Sequence, residues 1–375
     1  MKKKTLSLCM IVKDEEAFIE NCLRSVQDTV DEIVIVDTGS TDHTVDICRS
    51  FGAKIVEFPW MDDFASARNR GLLEANGDWI LWLDADEELD QKSGQILLHS
   101  LDQDEHDFFS IHLVNYMGEQ VQLDNAYLIA HTRLFRNRKG IQFKNRIHEI
   151  LDTPPPNQIP ILPIKVYHYG YLDPVVRRKN KSQRNMTILE NEMKKSDYDP
   201  WIPYHMASEY YRIREYEKAF QYVNMSILQF LIKQLSPPSL LYKLKYSILL
   251  SVGSIDTAWP GIQKAIELHP DYVDLHFYKG IILLVKENYS DSLAAFEHCI
   301  NLGEKYLNHL VLHGVGTFQA WYYIGVCFEK MNRIDDAKDA YKKSILLSSS
   351  YLPPREALLK CLSEEDQSIT TTDIS

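Results

Sequence analysis

The residues with the clearest chemical capacity are Asp84 and Asp86, separated by Ala85 and placed directly after the apolar run 79–83. One carboxylate of such a pair can hold a divalent ion while the other reaches a ribose hydroxyl. Mg2+ and Mn2+ favour hard oxygen ligands of this kind, and both bridge phosphates. A D-x-D triplet occurs in many unrelated chains, so its weight comes from its place at the end of a buried strand. The competing reading is an acidic pair capping a helix that follows. Asp37 closes a second apolar run, 33–36, and leads into Thr38-Gly39-Ser40-Thr41-Asp42. An acidic group there can accept hydrogen bonds from a base or a ribose. Gly39 permits a tight turn, and Ser40, Thr41 or Asp42 can also cap the next helix. Behind the first run, 6–12, stands Lys13-Asp14-Glu15-Glu16, with no glycine. A dinucleotide fold wants G-x-G-x-x-G at that point, which argues against an NAD-dependent dehydrogenase. A nucleotidyltransferase would favour a Gly-rich loop bearing Lys or Arg, and this segment is a poor substitute.

The elements that must position these groups are legible in the first half. Apolar runs at 6–12, 33–36, 53–58 and 79–83 read as buried strands. Helical spacing at 15–26, 44–51 and 64–75 separates them. That order predicts a parallel sheet with helices on both faces, with ligands at the carboxyl ends of the strands. From about 107 to 171 the pattern becomes short β-like runs (108–114, 132–135 and 165–169) broken by polar turns, as in an added mixed-sheet region that walls the acceptor side.

The composition is that of a globular chain of two domains: 375 residues, 45% hydrophobic and 25% charged. A formal charge of -12 repels phosphate backbones and excludes general nucleic-acid binding. Six cysteines lack metal-site spacing and read as buried, reduced thiols, which suits a cytoplasmic setting. The apolar run after the basic N-terminus is too short for a signal peptide, and no membrane-length stretch follows.

Four ordered motifs carry a resemblance: Leu8-Cys9-Met10-Ile11-Val12-Lys13-Asp14-Glu15-Glu16, Val34-Ile35-Val36-Asp37-Thr38-Gly39-Ser40-Thr41-Asp42, Ala65-Ser66-Ala67-Arg68-Asn69 and Leu83-Asp84-Ala85-Asp86-Glu87. Together they resemble the GT-A family-two glycosyltransferases. Trp60-Met61-Asp62-Asp63-Phe64-Ala65, Arg146-Ile147-His148-Glu149 and Tyr167-His168-Tyr169-Gly170-Tyr171, with the helical repeats behind them, resemble a bacterial subgroup that includes sublancin-type peptide S-glycosyltransferases. The resemblance implies a GT-A domain, Rossmann-like, at 1–199. Val12, Glu15 and Asp37 would meet a nucleoside, uridine by the resemblance. Arg68 would contact the pyrophosphate, Asp84 the ribose, and Asp86 would ligate Mg2+ or Mn2+. The chain departs from the usual pattern at Asp14, which stands where Asn is common and keeps a polar hydrogen-bonding group. His168 follows a β-like run and is a candidate second metal ligand, or else a hydrogen-bonded core histidine. An inverting transfer needs a group to take the acceptor proton. Glu149 is the first choice and His148 the second, against a purely structural pair. Lys179, Lys181 and Arg184 would close over the diphosphate as a lid, or simply solvate a helix start.

From about Trp201 the strand signal ends and a helical repeat begins. Ala207, Tyr246, Gly280 and Gly325 recur ahead of Ala219, Ala258, Ser292 and Ala337, which recur ahead of Ser226, Ala265, Cys299 and Ser344. Small residues at fixed offsets let paired helices approach. Tyr246 and Gly280 stand one 34-residue tetratricopeptide period apart. The other intervals need insertions near 234–240 and 303–316. A tetratricopeptide-like array is therefore expected at 200–362, with an irregular bundle as the alternative and a disordered polar tail at 363–375. The array would hold a peptide or protein acceptor, or make homodimers. The leading reading is an α/β plus all-α enzyme that moves a sugar from a nucleotide-sugar donor. The alternative is an inactive GT-A domain serving as a binding scaffold.

Overall fold

The first apolar run becomes strand β1 (Leu6–Val12), buried because it has a parallel neighbour on each side, β2 (Glu32–Asp37) and β4 (Trp79–Trp82). Strand β3 (Lys54–Glu57) extends the parallel set beyond β2. Helices α1 (Ile19–Val26), α2 (Thr44–Ser50) and α3 (Phe64–Glu74) connect these strands. Successive side chains of β1 point to opposite faces. Leu6, Leu8, Met10 and Val12 join Ile19, Cys22, Leu23 and Val26 of α1 in one core, whereas Cys9 joins Ala65 and Ala67 of α3 in another. The computed structural model describes residues 3–103, 105–179 and 181–372, without the side chains of 178–182 and 364–372.

Two local expectations change. Helix α1 begins at Ile19 and not at Glu15. Asp14 has a left-handed backbone (φ 53°), and the N–H groups of Asp14, Glu15 and Glu16 donate to Ser40 Oγ, Thr44 Oγ1 and Asp42 Oδ2. Those bonds commit the stretch to a loop. Asp84 and Asp86 do not cap a helix either, because the chain runs from them straight into β5 (Glu87–Leu89), with α4 (Ser93–Ser100) only afterwards.

The mixed region is continuous with the parallel sheet. Strands β6 (Phe108–Asn115), β7 (Tyr127–Arg136) and β10 (Ile161–His168) give the order β3-β2-β1-β4-β7-β6-β10-β5. Strand β7 is antiparallel to β4 and β6, β10 is parallel to β6, and β5 is antiparallel to β10. Strands β8 (Phe143–Lys144) and β9 (Ile150–Leu151) form a separate ribbon. Helices α5 (Asp173–Lys179) and α6 (Lys181–Met193) follow. The chain divides into two compact units, Met1–Gln122 with Ala126–Glu192, and Leu123–Asn125 with Met193–Ser375.

The second unit is built of helix pairs: α7 (Trp201–Arg212) with α8 (Tyr216–Ile232), α9 (Ser239–Ser251) with the short α10 (Ile255–Ala258) and α11 (Ile262–Leu268), α12 (Val273–Val285) with α13 (Tyr289–Leu302), and α14 (Phe318–Lys330) with α15 (Ile334–Leu347). Pro260, which lacks an N–H, separates α10 from α11. The repeat offsets have a physical meaning here. A Cβ on Gly280 would lie 2.6 Å from the Phe296 ring, and one on Gly325 would strike Tyr341. Ser226 Oγ donates to Pro200 O (2.7 Å) and Ser344 Oγ to Phe318 O (2.6 Å), while Cys299 Sγ reaches Val273 O (3.8 Å). Each of these three spans the same 26 residues and ties the second helix of a pair to the start of the first.

Helix α16 (Pro353–Thr372) runs through the segment expected to be disordered, with residues 373–375 outside the description. Glu364, Glu365 and Gln367 are good helix formers, and extending a helix is easier than starting one. The six cysteines are all buried, and none is in a disulfide. Burial, with Glu32 nearby, pushes the Cys9 thiol up to about 12. Among the described residues no helix is long and apolar enough to cross a membrane.

Candidate active site

The parallel order β2-β1-β4 sets the carboxyl ends of these strands side by side, with Val12 in register with Asp37 and Cys9 with Trp82. Asp37 and Asp84 therefore stand about two strand spacings apart, on the order of 10 Å. Around the first of these ends the loops interlock. Asp37 accepts from the N–H groups of Gly39 (3.3 Å) and Ser40 (3.1 Å), and Thr38 donates through N and Oγ1 to the Val12 carbonyl (both 3.0 Å). Asp14 Oδ1 accepts from Thr41 N at 2.7 Å. An asparagine would offer the same oxygen and tolerate the same left-handed backbone, so the departure at Asp14 keeps the loop intact. Glu15 sits on this loop, half-buried.

Around the end of β4 the charges concentrate. Arg68, on α3, donates from Nη2 to Asp84 Oδ1 (2.7 Å) and from Nε to Glu149 Oε1 (2.5 Å). Asp63 caps α3 by accepting from Ser66 N, which fixes the helix that carries Arg68. The guanidinium is only 8% exposed and its carbon lies 4.3 Å from the centre of the Trp82 indole. A second arginine, Arg133 on β7, lies 3.6 Å from the same ring and donates to Glu87 Oε1 (2.5 Å), with Asp84 Oδ2 at 3.8 Å. Its Nε and Nη1 are buried and find no partner among the described residues. Burial works to raise the Asp84 carboxyl, but Arg68 and Arg133 outweigh it and hold the group down at about 2. Glu87, fully buried, is pushed up by burial against the pull of Arg133. Its Oε2 accepts from Asp84 N (2.8 Å), which tightens the turn between β4 and β5.

One residue beyond Ala85, Asp86 turns toward the end of β10. His168 Nε2 lies 3.4 Å from Asp86 Oδ1, and the Tyr169 N–H donates to the Asp86 carbonyl (3.0 Å). Burial lowers the His168 imidazole, while the hydrogen bond and charge of Asp86 raise it, and the net shift is upward. A Cβ on Gly170 would stand 2.5 Å from Asp86 Oδ2 and 2.6 Å from His168 Nε2, so only glycine lets the backbone pass this close to the two side chains. His148 is exposed with φ 51°, next to Glu149 in the segment between β8 and β9. Arg184, on α6, places its guanidinium carbon 5.1 Å from the Phe64 ring centre. The side chains of Lys179 and Lys181 lie outside the described residues.

The structure thus joins Arg68, Asp84 and Glu149 in one cluster, Asp86 and His168 in a second, and Val12, Glu15 and Asp37 along a third edge. Arg133, Glu87 and Asn115 complete these clusters and escaped the sequence reading. The available signal for Arg133 was a cation inside the apolar run 132–135.

Residues 7–157 match the family model described as Glycosyl transferase family 2. The first unit carries a family-two glycosyltransferase domain. A TPR repeat-containing protein of Synechococcus elongatus is 34% identical over 275 residues, which cover 70% of this chain and 66% of that protein. The SPbeta prophage-derived glycosyltransferase SunS of Bacillus subtilis is 31% identical over 235 residues, 60% of this chain and 53% of that protein. This chain therefore spans between about half and about two thirds of the length of these relatives. Among solved structures, the TPR protein YrrB aligns over 49% of this chain and 87% of its own, at 16% identity and a TM-score of 0.39. The architecture is a GT-A-like mixed-sheet domain followed by a tetratricopeptide-like helical array.

Proposed function

We propose that the chain is an inverting, divalent-cation-dependent glycosyltransferase that takes a nucleoside-diphosphate sugar of the UDP class as donor and a peptide or protein as acceptor. The observation that carries this reading is the Asp86 carboxylate set 3.4 Å from the His168 imidazole, two residues from an Asp84 held ionised by two arginines. An oxygen and a nitrogen ligand suit Mg2+ or Mn2+, which keep other positions for water and phosphate oxygens. Among the described residues no group of three or more His, Cys, Asp or Glu side chains is arranged to hold a metal. The bound cation would supply charge neutralisation of the departing diphosphate.

The other groups take roles that follow from their surroundings. Val12, Glu15 and Asp37 line the nucleoside edge, and Asp84 reaches the ribose. Arg68 was expected at the pyrophosphate. With Nε and Nη2 committed and the guanidinium buried, it acts instead by aiming Asp84 and Glu149. In the transfer, a lone pair of the acceptor atom forms a bond to the anomeric carbon as the bond to the diphosphate oxygen breaks on the opposite face. The acceptor proton passes to Glu149, with the exposed His148 as the alternate base. The second unit orients the acceptor, and Arg184 belongs to the segment that covers the diphosphate.

A screen of nucleotide sugars with Mn2+ or Mg2+, reading released nucleoside diphosphate, tests the reaction. Asp86→Ala is expected to lower turnover by at least about 100-fold, the scale on which one transition-state charge contact acts, with folding intact. Full activity of that variant, or of the unaltered chain in excess EDTA, refutes the cation. Absence of nucleotide binding favours the scaffold reading, which the name of the Synechococcus relative keeps in view.

A further inference from the structure

Asn115 is the last residue of β6, and in register it lies between His168, the last residue of β10, and Tyr127, the first of β7. It is 6% exposed, and both ends of its amide are engaged. Nδ2 donates to the Tyr127 carbonyl at 3.2 Å, and Oδ1 faces His168 Nδ1 at 2.9 Å. The Tyr127 carbonyl fixes which way the amide points. Turned over, Asn115 would set its own oxygen against that carbonyl, two acceptors with no hydrogen between them. With Oδ1 toward the ring, only one hydrogen-bonded arrangement remains: His168 Nδ1 carries a hydrogen and donates it. Nε2 faces the Asp86 carboxylate at 3.4 Å, two groups that need a proton or a cation between them; with the remaining hydrogen kept on Nδ1, a cation there meets the Nε2 lone pair.

We propose that Asn115 is a positioning residue that locks His168 in the Nδ1–H tautomer and so presents Nε2 as a ligand to a divalent cation beside Asp86. The inference rests on the cation reading above and adds to it the residue that makes the histidine competent. Nothing in the D-x-D triplet or in the residues around His168 reports this role. Asn115 is 53 residues away in sequence and reaches the ring only because β6 and β10 end together. Strand ends are rigid, and a ligand held by a neighbouring strand through one short bond loses little freedom on binding.

Two measurements on the full chain test it. Long-range 1H–15N correlation on 15N-histidine-labelled protein, saturated with the diamagnetic Mg2+ and UDP, reads the tautomer directly. The Nδ1–H form is expected in the unaltered chain, and the Nε2–H form there overturns the proposal without any variant. Calorimetry or electron paramagnetic resonance with Mn2+ in the presence of UDP then reads affinity. Asn115→Leu, which removes the acceptor, is expected to bind Mn2+ about 10- to 100-fold more weakly. Asn115→Asp, which keeps an acceptor facing Nδ1, is expected to recover most of that loss. A merely structural asparagine would show equal Mn2+ affinity in both variants and the unaltered chain, and that result refutes the proposal. If the unaltered chain and His168→Ala both fail to bind Mn2+, the cation reading has failed instead. If His168→Ala alone loses binding and Asn115→Leu keeps it, the cation reading stands and the role of Asn115 does not.

Discussion

The two units bury charge in opposite ways. In the first, Arg68 and Arg133 converge on the turn after β4, and their combined field holds Asp84 at about 2, below its ordinary 3.8. In the second, Lys243 and Asp274 form one fully buried pair. Lys243 also donates to the Leu310 carbonyl, and Asp274 accepts from the Leu312 N–H. Burial dominates both of its members, lowering the lysine and raising the aspartate. That pair pins the insertion 303–316 onto the helices and asks nothing more of its charges. The first cluster carries more charge than packing requires, with two guanidinium nitrogens of Arg133 without a partner among the described residues. Such an excess is the usual mark of a site, because a structural pair can be replaced by apolar side chains and a working one cannot.

Replacing charges singly and in pairs breaks the comparison most sharply. Removing one partner of either group, by Arg68→Met or Lys243→Met, leaves a carboxylate buried and is expected to cost about 3–5 kcal/mol in urea unfolding. Lys243→Met with Asp274→Leu should return close to the starting stability, since the space is filled and no charge is stranded. Arg68→Met with Asp84→Leu should recover little of the loss, because Glu149 is then left without its cation, and should remain without measurable UDP binding. If the second double variant also binds UDP normally, the excess charge has no functional meaning.

Glycines sharpen the contrast at a smaller scale. Gly325→Ala forces a methyl into the Tyr341 ring and is expected to cost about 1–3 kcal/mol of stability, with Mn2+ and UDP binding unchanged. Gly170→Ala drives a methyl against Asp86 and His168, displaces them and should abolish Mn2+ binding, with a smaller loss of melting temperature. The reverse pattern would assign the close approach at Gly170 to packing alone.

The smallest effect is confined to acid. The folded Asp84 carboxyl titrates near 2 and the unfolded one near 3.8, so the unfolded chain takes up a proton first as pH falls. The stability this residue contributes is complete above about pH 4 and is lost as pH falls toward 2. Urea midpoints measured across that window should fall less steeply for Asp84→Asn than for the unaltered chain. Equal slopes would mean that the two arginines do not act on Asp84.

Much of this was legible in the order of residues. Runs such as 6–12 and 79–83 declare buried strands because a strand covered on both faces must be apolar throughout. Repeated small residues at Ala207, Gly280 and Gly325 declare paired helices because backbones can approach only where side chains are short. Asp37, Asp84 and Asp86 are recognisable as candidates since each follows such a strand. Less visible was the start of α1, which was lost to the loop at Asp14, and the tail, where helical propensity outweighed polarity.

The sequence by itself determined the division into an α/β half and a repeating helical half, the strand ends that form the candidate site, and most of the carboxylates there. Those signals are local, carried by periods of two and of 3.6 residues within a single element. Only the tertiary structure decided what each carboxylate is paired with. Arg68 meets Glu149 across 81 residues, Arg133 meets Glu87 across 46, and Asn115 meets His168 across 53. These encounters depend on the order and register of strands in the sheet, which no local period encodes. A hydrogen bond reaches about 3 Å, so a one-residue slip in register would unmake each of them while leaving the pattern of every strand unchanged.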